Sequence, residues 1–260
     1  IPMVGAVINP INIRLDAKTI SYILKHSDSK IIFVDTEFLP VIKKAFKIGK
    51  HKIPIIFIDD CSDFSKNIDD KNSYEDFLNE GNLVDNKVKL SIDDEWFPIS
   101  LCYTSGTTGE PKGVVTHHRG AYLNSISNQL IWNMKKNPIY LWTLPMFHCN
   151  GWCFPWTIAA MAGTNICLRK FDAKKVFTLI NMHEVSHLCA TSVVIKMLIE
   201  EGTKLENSVE LMTGAAPPPA SVLENIEELN FNITHTYGLT EVYGPATVCE
   251  WQNEWNSLKK

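Results

Sequence analysis

Short, apolar, β-rich runs alternate with segments of helical periodicity along most of the chain. Residues 31–35 (IIFVD), 55–58 (IIFI) and 99–103 (ISLCY) have the make-up of buried strands. Further strands are predicted over 139–144, 165–168, 187–190, 210–213 and 231–236. Between them lie helical patterns. The first opens at Asp16, a favourable N-cap, and sets Ile20, Ile23 and Leu24 on one face. Others are predicted over about 120–134, 173–182, 193–201 and 220–229. This alternation predicts an α/β fold, a mostly parallel sheet flanked by helices on both faces, with functional groups on loops at the carboxyl ends of strands. The stretch 59–94 breaks the pattern: it is polar, rich in Asp, Asn and Lys, and is expected to run over the surface with one short helix near 73–78. A sub-lobe boundary is expected within 59–95.

Composition narrows the class. The 260 residues are 45% hydrophobic and 21% charged, which suits a packed globular core and excludes disordered, collagen-like and coiled-coil chains. A net charge of −4 is a poor footprint for a nucleic-acid binder, so no nucleic-acid partner is expected. Seven cysteines without a CxxC pair read as reduced thiols of an intracellular protein. The most apolar stretch, 154–168, contains Pro155, Gly163 and Asn165 and is too short for a membrane span.

The strongest local signal follows the strand ending at Tyr103. Thr104-Ser105-Gly106-Thr107-Thr108-Gly109-Glu110-Pro111-Lys112-Gly113 holds four Ser/Thr hydroxyls, three glycines and one lysine. Glycines let backbone N–H groups turn inward, hydroxyls add donors, and Lys112 brings a compact positive charge; together they suit polyphosphate oxygens. Pro111 stands where a Walker-type loop needs its second glycine, so that motif is excluded. Composition alone leaves both a phosphate cradle and a plain surface loop open.

The exact string resembles the phosphate loop of the adenylate-forming (AMP-binding) superfamily: acyl-CoA synthetases, luciferases and peptide-synthetase adenylation domains. Two further segments agree in order. Gly214-Ala215-Ala216-Pro217-Pro218-Pro219 and Thr236-Tyr237-Gly238-Leu239-Thr240-Glu241 are similar to that superfamily's adenine and magnesium motifs. Residues 5–35 resemble its early region. Pro145-Met146-Phe147-His148-Cys149-Asn150-Gly151-Trp152 and Tyr243-Gly244-Pro245-Ala246-Thr247-Val248-Cys249 look like plant acyl-activating enzymes, the short- and medium-chain acyl-CoA or benzoyl-CoA ligases.

The resemblance implies an ATP-dependent ligase joining a fatty or aromatic carboxylic acid to coenzyme A through an acyl-adenylate. It assigns Thr104, Ser105, Gly106, Thr107, Thr108, Gly109 and Lys112 to the β- and γ-phosphates. Gly214, Ala215, Ala216 and Pro217 go to one side of adenine, with Thr236, Tyr237 and Gly238 on the other and Tyr237 stacking on the base. Thr240 reaches the α-phosphate, and Glu241, a hard oxygen donor, fits Mg2+. His148 is an orienting group beside the acyl-phosphate rather than a general base. Lys112, His148, Thr240 and Glu241 are thus the expected catalytic set. The run 152–156, with Met161, either lines the acyl pocket or packs a helix against the sheet. A cytoplasmic or peroxisomal location is expected.

One string points elsewhere. His183-Glu184-Val185-Ser186-His187 matches H-E-x-x-H, the zinc metalloprotease pattern, which needs both histidines on one helical face and a third ligand. The helix is expected to end near His183 and a strand to follow, which turns the imidazoles apart. A cluster of His148, Cys149 and Cys153 is read as packing.

The chain also departs from the family pattern. Nineteen residues follow Glu241, without the aspartate-bearing ribose segment or the small C-terminal cap domain and its lysine. Ala190-Thr191-Ser192 stands where relatives carry a Gly-Ala-Pro-like turn, and Ala246 replaces an expected glycine. The expectation is a partial AMP-binding domain over 1–260, part of the large N-terminal lobe, that alone forms no acyl-CoA. The alternative is a truncated, inactive relative that binds nucleotide or a protein partner.

Overall fold

The structure, a computed structural model, describes residues 1–59, 73–82, 92–104 and 109–257. It divides into two compact units, 1–93 with 103–114, and 94–102 with 115–260.

In the first unit, α1 (Ala17–His26), β1 (Ile32–Asp35), α2 (Leu39–Gly49), β2 (Ile55–Ile58) and α3 (Tyr74–Asn82) follow in order. The Asp16 carboxylate accepts from the N–H groups of Lys18 and Thr19 at 2.8 and 2.9 Å, so α1 starts where its cap predicts. β1 and β2 pair in parallel, Ile32 opposite Ile55. Ile20, Leu24, Ile32, Val34, Leu39, Ile42 and Ala45 close the core of this unit. α2 is absent from the sequence expectation; Pro40 in its first turn costs no helical hydrogen bond there. Of the polar stretch 59–94, much lies outside the described residues; its helix runs further than expected, as α3.

β3 (Pro98–Thr104) and β4 (Lys112–His117) pair as a two-stranded sheet. Then come α4 (His118–Ile131), β5 (Ile139–Trp142), α5 (Cys149–Trp152), α6 (Phe154–Ala160) and β6 (Thr164–Cys167). α7 (Ala173–His183), β7 (His187–Ala190), α8 (Ser192–Glu201) and β8 (Val209–Thr213) continue the alternation. α9 (Ala220–Glu228), β9 (Phe231–Leu239) and β10 (Gly244–Cys249) complete it. α4 begins two residues before its predicted start because His117 caps it: Nδ1 accepts from the Gly120 N–H at 2.9 Å.

The main sheet runs β10-β9-β8-β7-β5-β6, parallel throughout except for the antiparallel edge β10. Its two faces carry separate cores, as the period of two along a strand requires. Leu141, Leu188 and Leu211 meet Val176, Phe177, Ile195, Leu198 and Ile226 of α7, α8 and α9 on one face. Tyr140, Trp142, Cys189 and Met212 meet Trp132, Phe154 and Ile158 on the other. The α/β expectation with helices on both faces therefore holds. Among the described residues, no helix is long and apolar enough to cross a membrane.

Candidate functional site

A cavity of about 190 Å³ opens at the carboxyl ends of the parallel strands in the second unit. Leu144 and His148 follow β5, Thr191 follows β7, Gly214 and Ala215 follow β8, and Thr236 and Gly238 lie in the second half of β9. Cys149 and Trp152 come from α5, and Gly244 and Pro245 from β10. Segments nearly 100 positions apart thus share one wall, at the place the parallel topology predicts.

α5 has unusual backbone. Cys149, Asn150, Gly151, Trp152 and Cys153 have φ of 39, 46, 63, 55 and 67°, a left-handed turn. For non-glycine residues this conformation costs about 1 kcal/mol or more each. The surroundings hold it: the Gly151 and Trp152 N–H groups both donate to the His148 carbonyl, at 2.6 and 3.4 Å. Asn128 Nδ2 donates to the Trp152 carbonyl at 3.2 Å. The turn aims the Trp152 indole at Gly214, where a β-carbon would stand 2.8 Å from the ring's Cη2. Only the bare α-carbon of glycine admits the ring there.

The two later motifs meet directly. The Cys149 thiol and Thr240 hydroxyl are 3.3 Å apart, and Thr240 begins a 3-10 turn, Thr240–Val242, that presents Glu241 to solvent. Burial raises the Cys149 thiol above its ordinary pKa; the Thr240 contact lowers it and the Glu241 charge raises it. Cys102 is raised by burial and then by Cys149, and Cys153 is pushed up to about 12 by burial. These groups stay protonated thiols near neutral pH, so the cavity wall offers no protein thiolate as nucleophile. None of the six described cysteines is in a disulfide.

The other predicted residues fall as follows. Thr104 ends β3, half-buried. Ser105, Gly106, Thr107 and Thr108 lie outside the described residues. Gly109 is exposed with φ 143°. Lys112, read from the sequence as part of a loop, instead opens β4, with its side chain exposed. Ala216, Pro217 and Tyr237 are exposed, whereas Gly214 is buried. Sequence reasoning missed Leu144 and Cys149 as cavity wall; the clearest signal available for Gly244 and Pro245 was their place just after the Thr-Glu of the motif.

The H-E-x-x-H string does not make a zinc site. α7 ends at His183, Glu184 is a left-handed C-cap, and His187 is buried in β7 against the Trp132 ring at 4.9 Å. Among the described residues, no group of three or more His, Cys, Asp or Glu is arranged to hold a metal ion. Exposed Glu241 offers one hard carboxylate oxygen donor, of the kind a magnesium ion takes.

Comparison with known proteins gives a consistent picture. The family model described as AMP-binding enzyme matches residues 1–260. Acetate/butyrate–CoA ligase AAE7, peroxisomal, from Arabidopsis thaliana is 46% identical over 275 positions, covering 99% of this chain and 48% of the relative. Trans-cinnamate:CoA ligase, peroxisomal, from Petunia hybrida is 43% identical, covering 100% of this chain and 49% of that one. The chain therefore spans about half the length of the curated relatives it matches. The inhibitor-bound N-terminal domain of FACL13 from Mycobacterium tuberculosis superposes with a TM-score of 0.79 at 25% identity, over 95% of this chain and 60% of that one.

Proposed function

Because the chain belongs to the AMP-binding enzyme family, we propose that it carries the nucleotide- and acid-binding part of an ATP-dependent carboxylate–CoA ligase. The observation behind this reading is the shared cavity: the His148–Trp152 segment, the Gly214–Ala215 turn and the Thr236–Gly238 strand all line it.

In the proposed reaction a carboxylate oxygen attacks the α-phosphorus of ATP, giving an acyl-adenylate and releasing pyrophosphate. The sulfur of coenzyme A then attacks the acyl carbon and AMP leaves. Such chemistry depends on positioning and on stabilising phosphate charge. The assignments follow the motifs. Thr104, Ser105, Gly106, Thr107, Thr108, Gly109 and Lys112 hold the β- and γ-phosphates. Adenine lies along Gly214, Ala215, Ala216 and Pro217, with Tyr237 against it and Thr236 and Gly238 at the cavity side. Thr240 donates to the α-phosphate, and His148 orients the acyl carboxylate. Mg2+ bound through Glu241 would neutralise phosphate charge. Within the whole ligase the chain forms part of the large N-terminal lobe, and a peroxisomal or cytoplasmic location belongs to the same proposal.

The test is direct. The chain is titrated with Mg-ATP and with AMP, then incubated with ATP, Mg2+, coenzyme A and a panel of carboxylic acids while AMP and thioester are followed by mass spectrometry. Nucleotide binding supports the reading, and thioester formation extends it to the full reaction. Binding without turnover leaves the chain a nucleotide-binding module, the second reading. Absence of both ATP and AMP binding overturns the proposal.

A further inference from the structure

We propose that Cys149 is a positioning residue for the Thr240 hydroxyl, turning its proton toward the α-phosphate of the bound nucleotide. This inference rests on the nucleotide reading above, and it gives a role to a thiol that the sequence alone reads as packing.

Three observations carry it. First, the contact links the two motifs. Cys149 Sγ lies 3.3 Å from Thr240 Oγ1 across 91 positions of sequence, and among the described residues no other side chain is hydrogen-bonded to that hydroxyl. Second, Cys149 is held from behind. Its own φ is 39°, within the left-handed turn, and the turn rests on the buried Cys102 of β3. The Cys102 thiol donates to the Phe147 carbonyl at 3.4 Å, while the Cys149 and Asn150 N–H groups donate toward its sulfur. Third, the Thr240 backbone is fixed but its hydroxyl is not. The Thr240 carbonyl accepts the Tyr243 N–H at 3.1 Å and closes the 3-10 turn, which leaves the hydroxyl rotor to be set by a side-chain partner.

The direction of the bond follows from proton counting. A threonine hydroxyl has one proton to give and two lone pairs to receive with. Cys149 lines the cavity as a protonated thiol, because burial disfavours the thiolate. An S–H that donates to Thr240 Oγ1 occupies one lone pair and leaves the O–H proton for a phosphate oxygen, a charge-assisted and therefore stronger bond. With an apolar side chain at 149 the hydroxyl turns freely, and nucleotide binding bears the cost of ordering it.

The experiment is calorimetric titration of AMP into the 260-residue chain and into its Cys149→Ala, Thr240→Val and doubly substituted forms. Thr240→Val removes the hydroxyl at nearly constant shape and should weaken AMP binding by about tenfold. Cys149→Ala should weaken it by about threefold when Thr240 is present and leave it unchanged when Thr240 is already valine. Cys149→Ser keeps a donor and should bind AMP within about twofold of the wild type. A merely structural role for Cys149 would give the same loss in both backgrounds, and that result overturns the inference. So does a Cys149→Ala chain that binds AMP as the wild type does. Infrared spectra at saturating AMP give a readout that needs no Cys149 variant to fold. There, Thr240→Val should move one S–H stretching band to higher frequency, and an unmoved band also overturns the inference. AMP binding that ignores Thr240→Val overturns it too, while the nucleotide reading stands. Absence of AMP binding by the wild type defeats the nucleotide reading itself, and this inference with it.

Discussion

Gly238 lies opposite Pro245 in the β9–β10 pair, so close to the preceding residue that a β-carbon on Gly238 would overlap the Gly244 carbonyl. The obstacle is backbone on both sides, so no side-chain rotation relieves it. The same hairpin carries the cavity wall at Thr236 and Pro245 and holds Thr236 Oγ1 donating to the Thr247 carbonyl at 2.8 Å. Gly238→Ala should therefore cost about 3 kcal/mol, the upper range for overpacking, and weaken nucleotide binding with it. A urea midpoint equal to that of the wild type would sink this account.

His187 makes stability depend on pH. Burial in β7 lowers its pKa from 6.5 to about 4, with the Trp132 ring at 4.9 Å and Ser186 Oγ at 2.8 Å as its neighbours. Below the ordinary value the unfolded chain takes up a proton that the folded chain refuses. The contribution is therefore complete above about pH 6.5 and falls away as the pH drops toward 4, by up to roughly 3 kcal/mol. Urea midpoints of wild type and His187→Gln at about pH 7.5 and about pH 5 should show the wild type losing more stability on acidification. Parallel losses in the two proteins would count against it.

These two residues show how far the sequence reached. Residues buried on both sheet faces, such as Leu188 and Cys189, form apolar runs that mark a strand without help from neighbours. β4 and β10 have no such run: Lys112 starts one and Pro245 sits in the other, where a register shift accommodates it. α2 escaped notice because Pro40 and its lysines mask a stripe of only Leu39, Ile42 and Ala45. The left-handed turn at 149–153 was not legible at all, since Cys and Trp have no preference for positive φ and tertiary contacts impose it. For the same reason the sequence left Trp152 open between acyl-pocket lining and packing, and did not show that its indole closes on Gly214.

The phosphate assignments separate two nucleotides. Lys112→Met should weaken ATP binding by about tenfold, the scale of one charged hydrogen bond, and leave AMP binding nearly unchanged, because AMP lacks the β- and γ-phosphates. Glu241→Gln should instead remove the advantage that Mg2+ gives to ATP, with metal-free binding little altered. Titrations of ATP with and without Mg2+, and of AMP, check both. Equal losses for ATP and AMP in Lys112→Met would assign the lysine to some other role.

Cys149 gives a chemical report on the cavity. It is half-buried in the wall beside Thr240, whereas Cys167 and Cys249 are exposed and Cys153 and Cys189 are buried with pKa values raised by desolvation. Each unit of upward shift lowers the reactive thiolate fraction by about tenfold, so maleimide labelling read site by site should be fast at Cys167 and Cys249 and very slow at Cys153 and Cys189. Cys149 should fall between, because its burial is incomplete and Thr240 partly offsets the rise. Two further effects follow from its neighbours. A saturating acyl-sulfamoyl adenosine, a stable mimic of the proposed acyl-adenylate, should shield the thiol, since Cys149 lines the cavity. Glu241→Gln removes a negative charge that raises the Cys149 pKa, so labelling there should quicken while Cys167 is unaffected. Labelling of Cys149 as slow as that of Cys189, or indifferent to bound analogue, would mean that the thiol faces the core and not the cavity.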